Sequence, residues 1–272
     1  MSNTSKLKLI FCLALISLCL GARPAWAQSL LEFSSSSQIA EAFGKDVIKR
    51  FENRYDIDVN LHVGSSETAL LRLKNNFSDL ACIASRLPKD YTEKGYVEIP
   101  FAKDPLAIIT HKQNPIESLS PAQVRKIFMQ HTTNWKKVSG PDQEIVTIIP
   151  SQDTALYKSF ERQIMQGFNM SFDFSSYIST NNFIAVEHIP GAISFASRGA
   201  AKNYKNIKCL KINESKPEDE AYPFFQTFSF ISKGRPKENA QEFINAALSS
   251  RGREIIKEKG MYPIFEDRST KE

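Results

Sequence analysis

Cysteine is scarce in this sequence, with four in 272 residues. Cys12 and Cys19 fall within the first 27 residues, which leaves Cys82 and Cys209 for the rest. Two cysteines cannot build the disulfide framework of a small secreted domain, and none has metal-ligand spacing. Each sits in a strand-like apolar run, Leu80 to Ala84 and Ile207 to Ile212. They are either one bridge in an oxidising compartment or two small buried hydrophobes. The four histidines, His62, His111, His131 and His188, also lack metal spacing. The chain has no G-x-S-x-G, no phosphate-cradling P-loop and no H-E-x-x-H. Serine runs without a paired histidine and aspartate do not make a nucleophile, so catalysis is not expected. No Pro/Gly/Ser linker divides the chain, and no segment repeats. Beyond residue 27 no apolar stretch is long enough to span a bilayer. Neither charge dominates, with 35 Lys and Arg against 30 Asp and Glu. The basic residues are scattered among acids, which gives no footprint for nucleic acid or a membrane surface.

The N-terminus carries the clearest signal. Lys6 and Lys8 precede an apolar run from Leu9 to Leu20, and an A-x-A site follows at Ala25-Trp26-Ala27. This is the layout of a secretory signal peptide, residues 1–27, cleaved after Ala27. Its loss removes Lys6, Lys8 and Arg23 and leaves 32 basic against 30 acidic residues. A periplasmic location is therefore expected. The remaining length fits one large domain or two small ones.

Strand and helix patterns alternate, which predicts an α/β architecture. Strands are expected over Gln28–Phe33, Asp58–Val63, Asp79–Ala84, Glu98–His111, Ile145–Ile149, Ala192–Phe195 and Phe224–Ser232. Helices are expected over 38–53, after Ser66, after Ser120-Pro121, after Asp153 or Thr154, over 181–188, 237–248 and 251–259. One event recurs: a strand, a Ser/Thr-rich turn, then a helix. It follows Phe33, Val63 and Ile149 and recurs near Ser85. In open α/β sheets ligands bind beyond the carboxyl ends of the strands, and helix N-termini favour anions. Ser34 to Ser37 is then either a plain capped helix start or part of an anion loop.

Several segments, in order, resemble the phosphate-binding proteins of bacterial ABC transporters, and more broadly the type II periplasmic binding fold. They are Asp79-Leu80-Ala81-Cys82-Ile83-Ala84-Ser85-Arg86, Phe101 to Ile109 and Asn114 to Ser120. Gln123 to Phe128 followed by Thr133-Asn134-Trp135-Lys136-Lys137-Val138 is similar to the family's "QL-x-x-IF…TNW-x-x-V" passage, the most specific of the set. Gly191-Ala192-Ile193-Ser194-Phe195, Tyr222-Pro223 and Gly260-Met261-Tyr262-Pro263 complete it.

The resemblance implies an α/β fold of two lobes, each a central sheet flanked by helices, joined by two crossing strands. Lobe one would be 28–107 plus 222–265 and lobe two 108–221, with a tail at 266–272. It implies a monomer that clamps a small oxyanion, phosphate or similar, by hinge closure. It also implies delivery to a membrane ABC permease, with no cofactor and no nucleic acid. The family's anion loops fall on Ser34, Ser35 and Ser36, on Ser65 and Ser66, and on Ser85 and Arg86. The fourth falls on Asp153 and Thr154, where the sequence departs from the pattern. Pro150 stands where the family has arginine, and Thr154-Ala155-Leu156 replaces Ser-Gly-Thr. That departure leaves a second reading, a sensor or interaction module that keeps the fold with altered or lost ligand binding.

Overall fold

The computed structural model describes residues 29–264 apart from positions 44, 177 and 220. The expected signal peptide and the tail from 266 lie outside the described residues. Along the chain, β1 (Ser29–Ser36) leads into α1 (Ser37–Phe43) and α2 (Lys45–Tyr55). Then come β2 (Ile57–Gly64), α3 (Ser66–Lys74), β3 (Leu80–Ile83), α4 (Lys89–Glu93) and the long β4 (Tyr96–His111). Next are β5 (Ser118–Leu119), α5 (Pro121–Phe128), β6 (Val146–Pro150), α6 (Ala155–Phe160), β7 (Phe174–Ser176) and α7 (Ser179–His188). The chain continues with β8 (Ala192–Ser197), α8 (Arg198–Ala201), β9 (Ile207–Ile212) and β10 (Phe225–Lys233). It closes with α9 (Glu238–Leu248), α10 (Ser250–Glu258) and β11 (Tyr262–Pro263). Among the described residues no helix is long and apolar enough to cross a membrane.

The main sheet orders β2-β1-β3-β10-β4-β8-β6-β7. β1, β2 and β3 are parallel, and β10 runs antiparallel to β3 and β4. β4 serves two neighbourhoods. Tyr96 to Pro105 pair with β10, and Leu106 to His111 pair with β8 and β9. The returning chain is tied to the same point: Leu106 N donates to Phe224 O at 2.9 Å, and Tyr222 Oη donates to Leu106 O at 2.8 Å.

The buried apolar residues sort on either side of that point. One core gathers Leu106 through Tyr222 around Phe128, Trp135, Phe160 and Phe195. Another gathers Leu31 through Ala102 with Phe228 through Met261. Burying an aliphatic or aromatic side chain contributes about 1.5–3 kcal/mol, so each cluster is a stabilising unit in its own right.

One expectation changes. The first strand does not stop at Phe33 but continues to Ser36, because ladders on both sides hold it. Ser34, Ser35 and Ser36 pair with His62, Val63 and Gly64 of β2, and Ser34 and Ser35 also pair with Ala81 and Cys82 of β3. Two rows of backbone hydrogen bonds override serine's preference for turns. Helix is found over Ser37–Phe43 and Lys45–Tyr55, where the sequence placed one over 38–53. Cys82 and Cys209 are free. Burial pushes the Cys209 thiol up to about 12 and the Cys82 thiol well above its usual range. Both are small hydrophobes in strands.

The helix start at Ser120-Pro121 is as expected and forms a capping box. Ser120 Oγ accepts from Gln123 N at 3.2 Å, and Gln123 Oε1 accepts from Ser120 N at 2.7 Å. Ser120→Ala should cost about 1 kcal/mol and lower Tm by roughly 2–4 °C. An unchanged thermal transition would show that the box contributes nothing.

Candidate functional site

The parallel strands β1, β2 and β3 end side by side, at Ser36, Gly64 and Ile83. Each is followed by a polar turn, so the first three anion loops named from the sequence are neighbours. Their side chains nevertheless differ in what they are free to do.

Alternation along β1 separates the serines. Ser34 faces α3, where its hydroxyl is fully engaged. It accepts from Arg72 Nε at 3.0 Å and lies 2.5 Å from Ser78 Oγ, which donates to Phe77 O. Ser35 points the other way, and its hydroxyl donates to Ser36 O at 3.2 Å. Ser36 Oγ is buried and has no hydrogen-bond partner among the described residues.

Ser65 caps α3. Its Oγ accepts from Thr68 N at 3.0 Å, and Glu67 occupies the first turn. Ser66 Oγ accepts from Ala84 N at 3.2 Å, which ties the start of α3 to the end of β3. Ser85 is half-buried beyond it. Arg86 is exposed, with no hydrogen bond or ion pair among the described residues. Here the fold brings together a helix N-terminus, free backbone donors and a cation, the ingredients of anion binding.

The fourth turn lies opposite. Thr154 rather than Asp153 caps α6: Thr154 Oγ1 accepts from Tyr157 N at 3.2 Å and donates to Ser151 O at 2.7 Å. Asp153 is exposed. Pro150 is the last residue of β6 and is buried. Two contacts show that this turn faces the first three. Lys158 Nζ on α6 lies 2.8 Å from Glu67 Oε1 on α3, and Ala155 packs against the core of β1 and β10. The ion pair is more than half exposed, which limits it to about 0–1 kcal/mol. It serves as a marker of proximity across a cleft.

Four buried side-chain atoms have no partner among the described residues: Ser36 Oγ, Gln38 Nε2, Asn182 Nδ2 and Gln226 Oε1. Buried polar atoms are paired in nearly all native proteins, so each needs a reason. Gln226 donates through Nε2 to Ala84 O at 3.2 Å, which puts its free Oε1 at the carboxyl end of β3. Ser36 and Gln38 stand at the adjacent end of β1. Asn182 belongs to α7 and stands apart from these strand ends in the sequence of elements. Gln38, Asn182 and Gln226 were not among the residues read from the sequence. Single glutamines and asparagines form no motif, and only burial without a partner singles them out.

The charged groups of the cleft nearly cancel. Arg86 and Lys158 oppose Glu67 and Asp153. No cluster of His, Cys, Asp or Glu able to hold a metal occurs among the described residues. The residues fit a small polar solute.

Residues 22–251 match the PBP superfamily domain. The chain belongs to the PBP superfamily. Among PBP relatives, it is 26% identical over 270 residues to protein SphX of Synechococcus elongatus, covering 88% of this chain and 79% of that one. It is 22% identical over 253 residues to the phosphate-binding protein PstS of Borreliella burgdorferi, covering 87% and 91%. Its fold resembles that of a Clostridium perfringens phosphate ABC transporter substrate-binding protein solved with bound phosphate. The TM-score is 0.76 at 18% identity, over 87% of this chain and all of that one. The architecture is that of the type II periplasmic binding proteins.

Proposed function

We propose that this chain is an extracytoplasmic solute-binding protein that holds phosphate or a related small oxyanion in the cleft and passes it to a membrane ABC permease. The observation that carries the reading is the opposition of the Ser36, Ser65–Ser66 and Ser85–Arg86 turns to the Thr154 turn, with buried donors and acceptors left unpaired at the strand ends. The name of the PstS relative and the phosphate-bound neighbour support it. In this reading residues 28–107 with 222–265 form one lobe and 108–221 the other, a division supported by the two cores. Residues 1–27 direct export to the periplasm, where the protein acts as a monomer without catalytic turnover. The sensor alternative rests on the departure at Pro150 and Thr154-Ala155-Leu156 alone.

Arg86, which has no ion-pair partner among the described residues, supplies the positive charge that Pro150 does not. Thermal unfolding with phosphate, sulfate, molybdate and phosphonates tests the reading. A ligand at 100 times its Kd adds about 2.7 kcal/mol, which raises Tm by roughly 5–10 °C at this size. A panel in which no oxyanion moves Tm sinks the proposal. Arg86→Ala removes a charge-assisted bond of about 1.5–3 kcal/mol and should weaken phosphate by roughly ten- to a hundredfold. The side chain is exposed, so the fold should be unaffected. An unchanged Kd in that variant would remove Arg86 from the site.

A further inference from the structure

A cavity of about 710 Å³ opens between the sheet face of β1, β2, β3, β4 and β10 and helices α1, α2, α9 and α10, with Ile178 and Thr180 at the start of α7 also lining it. Sheet–helix interfaces normally close to crystal-like density. This space instead falls within the usual size of a small-molecule pocket, about 300–1,000 Å³. Its walls are apolar: Phe33, Phe51, Phe101, Phe230, Phe243 and Ile256.

The rings are locked against one another rather than free to collapse inward. Phe33 and Phe51 pack on Phe243 with centroids 4.9 and 4.7 Å apart, and Phe101 stacks on Phe230 at 4.3 Å. An apolar pocket whose rings are held in place offers its wall to apolar groups.

The charge around it has one dominant sign. Lys45, Arg50, Arg54 and Arg251 border the space against a single carboxylate, Glu41. Glu41 Oε1 accepts from Tyr204 Oη at 3.2 Å, and Arg251 is paired with Glu254 and Glu258. Arg50 and Arg54 lie one turn apart on α2, and the Arg54 guanidinium sits 5.7 Å over the ring of Tyr55, itself part of the wall. The cavity reaches Ser35 and Ser37 but none of Ser65, Ser66, Ser85, Arg86 or Thr154.

We propose that this cavity is a second ligand site, apart from the oxyanion cleft, for a single-chain amphiphile of the fatty-acid type, its alkyl chain among the phenylalanines and its carboxylate at Arg50 and Arg54. The two ends of such a molecule match the two chemistries of the site, an aromatic interior and a basic mouth.

Calorimetric titration of the purified protein with saturated carboxylates of about 8 to 16 carbons tests this, since each buried methylene should tighten binding about fourfold until the space is filled. One molecule should bind per chain, and saturating phosphate should not displace it. Arg54→Glu, on the exposed face of α2, should weaken the longest bound chain about tenfold. Ala247→Phe, placed in the cavity wall, should abolish binding while the Tm response to phosphate is kept. Ala246→Leu gives a milder filling if the larger ring unfolds the protein. Four results would overturn the site: no saturable binding, affinity independent of chain length, displacement by phosphate, or undiminished binding in the folded filled variants. Failure of the oxyanion reading would show separately, as a protein that binds carboxylates while no oxyanion shifts its Tm.

Discussion

Trp135→Ala should lower stability by about 3–5 kcal/mol and Tm by roughly 6–20 °C, the largest effect expected of a single substitution here. Trp135 is completely buried in the core that also holds Phe128, Phe160 and Phe195. It starts a short 3-10 turn, Trp135–Val138, capped by Asn134, whose Oδ1 accepts from Lys136 N at 2.9 Å. Its indole Nε1 donates to Gly191 O at 3.0 Å, and the same carbonyl accepts from Val146 N at 3.1 Å. Gly191 must be glycine for this approach, since a Cβ there would lie 2.3 Å from Glu144 O. Alanine at 135 would leave both a void and a carbonyl short of one donor. Urea and thermal unfolding of the variant check this. A Tm loss under about 3 °C would mean that the core closes over the gap.

The second large effect is one of pH. Asp104 is fully buried in β4 beside α8. Its carboxylate accepts from Ser197 Oγ and, at 3.0 Å, from Gly199 N. Burial pushes its pKa up from 3.8 to about 6, against the lowering by these bonds and by Arg198. The folded state then holds the proton more tightly than the unfolded chain does. The resulting stability is fully present below about pH 4 and is lost as pH rises through about 6, roughly 3 kcal/mol across that window. Asp104→Asn carries no such proton. Urea unfolding of both proteins from pH 4 to 7 should show the variant gaining on the wild type by about that amount. A difference constant with pH would sink the assignment.

What the sequence revealed and what it hid follow the range of the interactions. Helix starts were legible, because a cap and its partner lie three residues apart, as in Ser120 with Gln123 and Ser65 with Thr68. The choice between Asp153 and Thr154 was the limit of that signal. The strands and the polar turns at their ends were legible through alternation and through family resemblance, whereas their order in the sheet was not. The fate of Ser34 was not, since its partners Arg72 and Ser78 come 38 and 44 residues later. Gln226 reaches Ala84 across 142 residues, and Asp104 reaches Gly199 across 95. Such pairings leave no local pattern. They arise when the sheet brings distant strands together, and in this chain they lie at the cleft and at the crossing strand.

The strand order also bears on how the chain assembles. β3 and β4 follow each other in sequence but do not pair, because β10 lies between them. Until β10 is in place, β3 and β4 each present an open edge to the surroundings. An open edge is a template for wrong pairing. The segment between β4 and β10 includes β8 and β9, which cover the far half of β4. The near half, with β1 to β3, must wait for Phe225–Lys233 to slot in. Completion of that sheet is therefore a non-local step, of the kind that slows folding. A chain cut before residue 225 would lack its central strand.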